Sequence, residues 1–496
     1  LDLPDGPILL RLDRADVEIV RATAPPRLGV AALRRAIDAP EADDARTADR
    51  LAVTRAPEDG RVHIVRRDDQ PLRLRLVIDV ARRLRVEGSD LNIQLRDDAP
   101  EADDESDTTG FVPPPPPPPP SETGAPEAPT VRELMAQRAA QGDAAGSSAD
   151  DGGDTHPTQL QVERGSVQLD AAVDALVVAV DAPVRAVGTR GALVLALLGG
   201  RASVDGHAGE LRIEAEGTAV EVDQQNGPLV FWVGGGGDLL VRDSDGPLRA
   251  EVAEDGNLRL QDWRGNGTLT AGERSRVEID GNPDAGSRPI SLVTDGADVR
   301  IGDWVGSVVV QQTGGRLRGA GLRGRVKVRA TGAEVELEDT AGILDLTLLD
   351  GADGALRSHG GQARTTVTRS QLELEGVARV VVTAVVARVV ARDVGRVDHI
   401  DTRRSNVDLD LRGVTKMLLR LTDGSEGRVE VDAPCSVRAQ NPETDLLAEG
   451  VEVNGCTLAG ATGGRTLQGR SLDGRRAVEM TLDIGGGSSL TGVGNP

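Results

Sequence analysis

Few residues in this 496-residue chain have the types and spacing that chemistry requires. The stretch GPLVFWVGGGG (227–237) runs an apolar strand pattern into four glycines, as a phosphate loop does. A phosphate loop closes on Lys followed by Ser or Thr, which meet the phosphates and a metal. Here the glycines run into Asp238, whose charge repels an anion, and no helix start follows to lend its N-terminus. His399 and Asp401 in VDHID (397–401) are two residues apart and share one strand face, and a base beside a carboxylate is a catalytic pairing. No Ser or Cys nucleophile stands beside them, and a solvent-facing charged ladder accounts for the pair. His207 in DGHAGE and His359 in SHGG read as turn residues.

The acidic bends RDSDG (242–246), DGNPDAG (280–286) and DGADG (350–354) each offer oxygen ligands for calcium. The twelve-residue EF-hand pattern and the calcium-binding nonapeptide repeat are both absent, and Asp-Gly turn chemistry accounts for all three. A polysaccharide-active β-helix enzyme needs a carboxylate pair across a cleft, and stacked Asp and Glu single out no such pair. No catalytic, cofactor or metal-binding residue is therefore nominated, and the chain reads as non-enzymatic. Two candidate pairs remain. Phe231 and Trp232 are adjacent, so they point to opposite faces of a strand, and an outward ring would form an exposed aromatic binding patch. Cys435 and Cys456 are a disulfide candidate, set about one repeat apart; a bridge there would imply an oxidising compartment.

Composition narrows the function further. There are 61 glycines, no tyrosine, two phenylalanines and three tryptophans, so an interior must be tiled from Val, Leu, Ile and Ala. The net charge of −23 opposes nucleic acid, which requires a basic footprint, and opposes anionic lipid. The longest Val-rich run, 377–392, is broken by Arg379, Arg388 and Arg392, which opposes membrane insertion. Residue 1 is leucine, as after removal of a signal peptide, and the expected extracytoplasmic location assumes that removal.

The elements that must position these residues are short strands. From residue 158 onward the sequence cuts into strand-turn units of about nine or ten residues, such as GELRIEAEG, TAVEVDQQNG and DLLVRDSDG. One unit recurs: NLRLQDWRG (257–265), DVRIGDWVG (298–306) and EVELEDTAG (334–342) share alternating apolar residues followed by Asp-x-x-Gly, with NVDLDLRG (406–413) a weaker copy. The spacing predicts an all-β fold, a long parallel β-solenoid of about 18–21 residues per coil, with two or three strands in each. Such a narrow interior suits stacked aliphatic residues and fits large aromatics poorly.

Four regions are expected. Residues 1–97 form an N-terminal β region, read as the first coils or cap of the solenoid, with a separate sandwich-like domain as the competing view. SDLNIQL (89–95) matches GSVQLDA (165–171) across the intervening segment, which favours one interrupted solenoid. Residues 98–157 are a disordered insertion: acidic at its start, then eight prolines (113–120), then VRELMAQRAAQ (131–141) with the pattern of one short helix. The hexapeptide APEADD occurs at 99–104 and at 39–44, marking 34–50 as a second acidic loop. Residues 158–485 form the main solenoid and 486–496 a flexible tail.

The strand units ADVEIV, SDLNIQL, GSVQLD, ADVRIGDWVG and AEVELED resemble the bacterial adhesin-type β-solenoid families, domains of unknown function. The resemblance covers 1–97 and 158–485 and implies an exported or envelope-associated protein without agreed catalytic residues. The expected function is a non-enzymatic surface or scaffold protein, monomeric, that presents solenoid faces to a protein or cell-surface partner. The alternatives are a self-assembling β-helix element stacked end to end and a polysaccharide-active enzyme.

Overall fold

Strict alternation sends every second residue inward, and parallel stacking then sets each inward side chain on its counterpart one coil away. The computed structural model describes residues 8–12, 15–21, 27–32, 51–55, 62–66, 72–78, 84–97, 158–170, 174–284, 286, 288–411, 416–422, 425–431, 435–439, 451–453, 478–484 and 489–494. Among these the only regular element is the β-strand, and none is a membrane-crossing helix. The chain divides into two units, Leu1–Gly227 and Pro228–Pro496, and in each the strands stack as a parallel β-solenoid.

Each regular coil holds two strands. We name strand A the one entered from a broad four-residue corner, and strand B the one entered from a tight corner. In unit 1, A strands such as Leu193–Leu198 and Leu211–Glu216 pair in register, as do B strands such as Arg201–Asp205 and Ala219–Asp223. The inner column of A residues runs Ile64, Leu10, Val86, Leu160, Val177, Leu195, Ile213, each almost wholly buried. In unit 2 the equivalent column begins Phe231, Ala250, Leu269, Leu292, Val310, Val328, Leu346. Burying each aliphatic side chain contributes about 1.5–3 kcal/mol, so each coil adds its own share of core. Size is balanced locally. Phe231 stacks on Ala250, and the space beside Gly319 is filled by Leu322 and Leu337.

The broad corner explains the Asp-x-x-Gly signature. Its first residue is left-handed, with φ of 44° at Asp243, 47° at Asp303 and 49° at Asp339, a conformation that aspartate tolerates better than most side chains. Its second residue points inward, and its last is a glycine stacked against the glycine of the previous coil. A Cβ on Gly342 would lie 2.2 Å from the Gly324 carbonyl oxygen, and one on Gly324 would lie 2.4 Å from that of Gly306. No side chain fits between backbones that close.

The corner also overturns the expectation that aromatics fit poorly inside. Trp263 and Trp304 both occupy the inward corner position and are almost fully buried. Their ring centroids lie 5.6 Å apart, and their indole N–H groups donate to the carbonyls of Gly246 and Arg288 at 3.3 Å and 3.2 Å. The coil between them gives up its corner side chain: Gly281 pairs with Trp263, and a Cβ there would meet the Trp304 ring at 2.9 Å. Among the described residues, both buried indoles sit at the broad corner.

Stack order departs from chain order at the two outer coils. In unit 1, strands Ile8–Arg11 and Ala15–Arg21 lie between the coil Val62–Arg66/Leu72–Ile78 on one side and strand Leu84–Asp97 on the other. The outer edges of that first coil are taken by antiparallel strands, Leu51–Arg55 on Val62–Arg66 and Arg27–Ala32 on Leu72–Ile78. In unit 2, Val478–Ile484 and Ser489–Gly494 lie between Lys416–Thr422/Glu426–Val431 and Cys435–Ala439/Val451–Val453. Strand Ser489–Gly494 falls in the stretch expected as a flexible tail; its alternation survives among glycines, and the ladder orders it.

Strand Leu84–Asp97 pairs along nearly its whole length with Thr158–Asp170, and Ile93 and Leu95 meet Val167 and Leu169, the match seen between the two sequences. The residues between them, 98–157, lie outside the described residues, as do 34–50 and Cys456, so the proposed Cys435–Cys456 bridge lies outside them too.

Two glycines of one coil test the corner. Gly332 is left-handed (φ 58°) but open, with only the Asp350 carbonyl oxygen at 3.7 Å, so Gly332→Ala is expected to cost roughly 1–2 kcal/mol, the price of the left-handed backbone. Gly342→Ala adds a backbone collision and is expected to lower the urea midpoint at least twice as far.

Candidate interaction surfaces

The residues nominated from sequence are separated by the fold. Phe231 is in the core at 3% exposure, so it is not part of an exposed aromatic patch. Trp232 faces outward, half-buried, and lies along its own strand over Gly234, where a Cβ would meet the ring at 2.9 Å. The glycines after it make a tight corner, with Gly237 N–H donating to the Gly234 carbonyl at 3.0 Å. His399 and Asp401 do share the outer face, with Nε2 and Oδ2 3.9 Å apart, and Arg420 lies equally far from the same carboxylate. Beside them Asp398 sits in a bulge. Burial pushes its carboxyl up, but hydrogen bonds from Arg379 and Arg396 outweigh that and hold it low. The cluster is an ion-paired ladder. Of the acidic bends, Asp243 supplies a left-handed corner and Asp350 accepts from Arg369. Among the described residues no group of three or more His, Cys, Asp or Glu is placed to hold a metal ion.

His207 and His359 are in corners, as expected, but they point inward and are buried at 0% and 2% exposure. Each occupies the second position of a broad corner, one coil above a threonine: His207 Nδ1 lies 2.8 Å from Thr189 Oγ1, and His359 Nδ1 lies 2.8 Å from Thr340 Oγ1. His207 Nε2 donates to the Glu210 carbonyl at 3.3 Å, which leaves Nδ1 as the acceptor of the threonine hydroxyl, the arrangement of a neutral ring. The next corner of that unit carries Gln225, whose Nε2 donates to the Gly209 carbonyl at 2.7 Å. In unit 1 the inward corner position is thus polar in three successive coils, Thr189, His207 and Gln225. These histidines are structural.

The outer B face of unit 2 is a ladder of paired charges. Arg316 meets Glu334 at 2.5 Å, Arg318 meets Glu336 at 3.0 Å, Arg392 meets Glu373 at 3.3 Å, and Glu278 lies between Arg259 and Arg300. Where the outward residue is small, at Ala355, the ladder dips into an open groove of about 390 Å³ walled by Glu334, Glu336, Arg357, Glu373, Arg388 and Arg392. Both signs line it and largely neutralise each other.

The outer A faces differ from this. In unit 1, Leu176, Val178 and Val180 pair with Val194, Ala196 and Leu198, so two successive coils turn six apolar residues to the outer face, five of them half-buried and Ala196 buried. They are flanked by Gln159, Gln161 and Glu163 on one side and by Arg212, Glu214 and Glu216 on the other. In unit 2, strand Arg323–Thr331 turns four cations outward. Both features were absent from the sequence-based list of sites. Their signals are present: ALVVAV and LVLALL are unbroken apolar runs where neighbouring strands alternate, and 316–329 holds six basic residues and no acidic one.

No protein-family model, curated protein or solved structure matches this chain.

The buried histidines make stability depend on pH. Burial lowers the His207 and His359 pKa below the ordinary value, so each unfolded ring binds a proton more readily than its folded counterpart. Their contribution is complete above the ordinary histidine range and is lost as pH falls through the lowered folded value. His359→Gln, which copies the Gln225 corner, is expected to reduce the fall in urea midpoint between about pH 7.5 and 5.5 relative to the parent chain.

Proposed function

We propose that this protein is a non-enzymatic, adhesin-like scaffold of the extracytoplasmic surface that presents its solenoid faces to a protein partner. One observation carries the reading: the outer A face of unit 1 places Leu176, Val178, Val180, Val194 and Leu198 side by side, all only partly covered. A contiguous apolar patch marks a site of association, because burying it removes apolar area from water. The rest of the fold supports the same reading. Backbone hydrogen bonds are consumed between coils, and the charged B face of unit 2 is paired within itself, which leaves rigid, repetitive faces with side chains fixed in register. The tyrosine-free composition and the absence of any nominated acid–base pair in the sequence support a non-enzymatic role.

End-to-end stacking is disfavoured on the unit 1 side, where antiparallel strands occupy the outer edges of the first coil in place of a parallel continuation.

A photo-crosslinking amino acid placed at Val194 on intact producing cells is expected to capture one discrete protein. The same residue placed at Ser203, on the B face, is expected to capture none. Recovery of the chain solely from the cytosol, or turnover of a polysaccharide by the purified chain, would overturn the proposal.

A further inference from the structure

The coil at 316–331 in unit 2 breaks the charge rule of its neighbours. Arg323, Arg325, Lys327 and Arg329 stand at every second residue of strand Arg323–Thr331, and all four are exposed. At the rise of a strand, neighbours in this row are about 6.7 Å apart and the row is about 20 Å long. On the B side of the same coil, Arg316 and Arg318 are matched by Glu334 and Glu336. On the A side Asp345 lies 3.6 Å from Arg325 and is the register partner of Lys327; Arg323, Lys327 and Arg329 form no ion pair among the described residues. The register partners on either side are Ser307, Val309 and Gln311 in one coil and Ile343, Asp345 and Thr347 in the other. Like charges in a row repel one another, and a chain of net charge −23 had acidic residues in excess to place beside them.

A polyanion with the same repeat would complement this row. A polypeptide with a carboxylate at every second residue matches that repeat when extended, and one stretch of the sequence has that pattern. In EADDESD (101–107) the residues Glu101, Asp103, Glu105 and Asp107 alternate, four acids for four bases. Three of the four cations are arginines, whose planar forks take carboxylates in bidentate fashion. We propose that the row Arg323–Arg325–Lys327–Arg329 receives residues 101–107 of a second copy of this chain. Every copy carries both halves, so each of two copies has a stretch and a row to offer the other. This contact is separate from the apolar face of unit 1 and stands or falls without it.

The test is sedimentation equilibrium of the full chain with two variants. One carries Arg325→Glu, Lys327→Glu and Arg329→Glu; the other carries Glu101→Gln, Asp103→Asn, Glu105→Gln and Asp107→Asn. At about 0.05 M salt the parent chain is expected to dimerise, and at about 0.5 M at least tenfold more weakly. Each variant alone is expected to be monomeric, and an equimolar mixture of the two is expected to associate again, because one supplies the stretch and the other the row. A parent chain that stays monomeric overturns the proposal, as does a mixture that stays monomeric, the result if a molecule used its own stretch. A row variant that dimerises like the parent also overturns it. Preference of the row for a sulfated glycan over a synthetic peptide of residues 97–109 would assign the site to glycan instead.

Discussion

The structure depends on one constraint: in a parallel, in-register stack, each residue sits about 4.8 Å from its counterpart in the next coil, so every position must tolerate its own neighbour. Inside, that condition selects aliphatic side chains, and where a large one enters, a small one must follow, as Ala250 follows Phe231. At the broad corner it selects glycine, because backbones meet there with no room for a Cβ. On the outer B face of unit 2 it favours opposite charges in contact, as where Arg316 and Arg318 face Glu334 and Glu336, while Arg300 stacks on Arg318 and is drawn to Glu278. Part of the acidity of the chain has the same origin. Aspartates at Asp243, Asp262, Asp303, Asp339 and Asp393 are left-handed corner residues before they are charges.

That constraint decides what could be read from the sequence. Alternation and Asp-x-x-Gly are local, so the parallel solenoid and its coil length were legible, and so was the match of 89–95 with 165–171. The interior position of Trp263 and Trp304 was not, because it depends on the width of the corner and on Gly281 standing aside in the coil between. The two corner histidines were placed in turns correctly, yet their inward direction depends on a threonine 18 or 19 residues earlier. The candidate surfaces were the least legible. A face is read down the register, across residues some 18 apart, so the apolar pairs Leu176/Val194 and Val180/Leu198 come together only once the coils are stacked.

The two outer A faces carry different chemistry on one backbone plan. The unit 1 face is apolar and flanked by polar coils. The unit 2 row is cationic, and its attraction is long-ranged and sensitive to salt. In both, the backbone is held in register by the ladders on either side.

The order of strands at the outer coils bears on how the molecule is built and pulled apart. Strands Ile8–Arg11 and Ala15–Arg21 and, in unit 2, Val478–Ile484 and Ser489–Gly494 are each clamped between two ladders, not laid on one. Both neighbours of Ile8–Arg11 and Ala15–Arg21, at 62–78 and 84–97, follow them in the chain, so the order of the stack is not the order of synthesis. The same topology acts as a mechanical lock. A force applied to either of these strand pairs must shear two rows of hydrogen bonds at once, where peeling an outermost coil would break only one row.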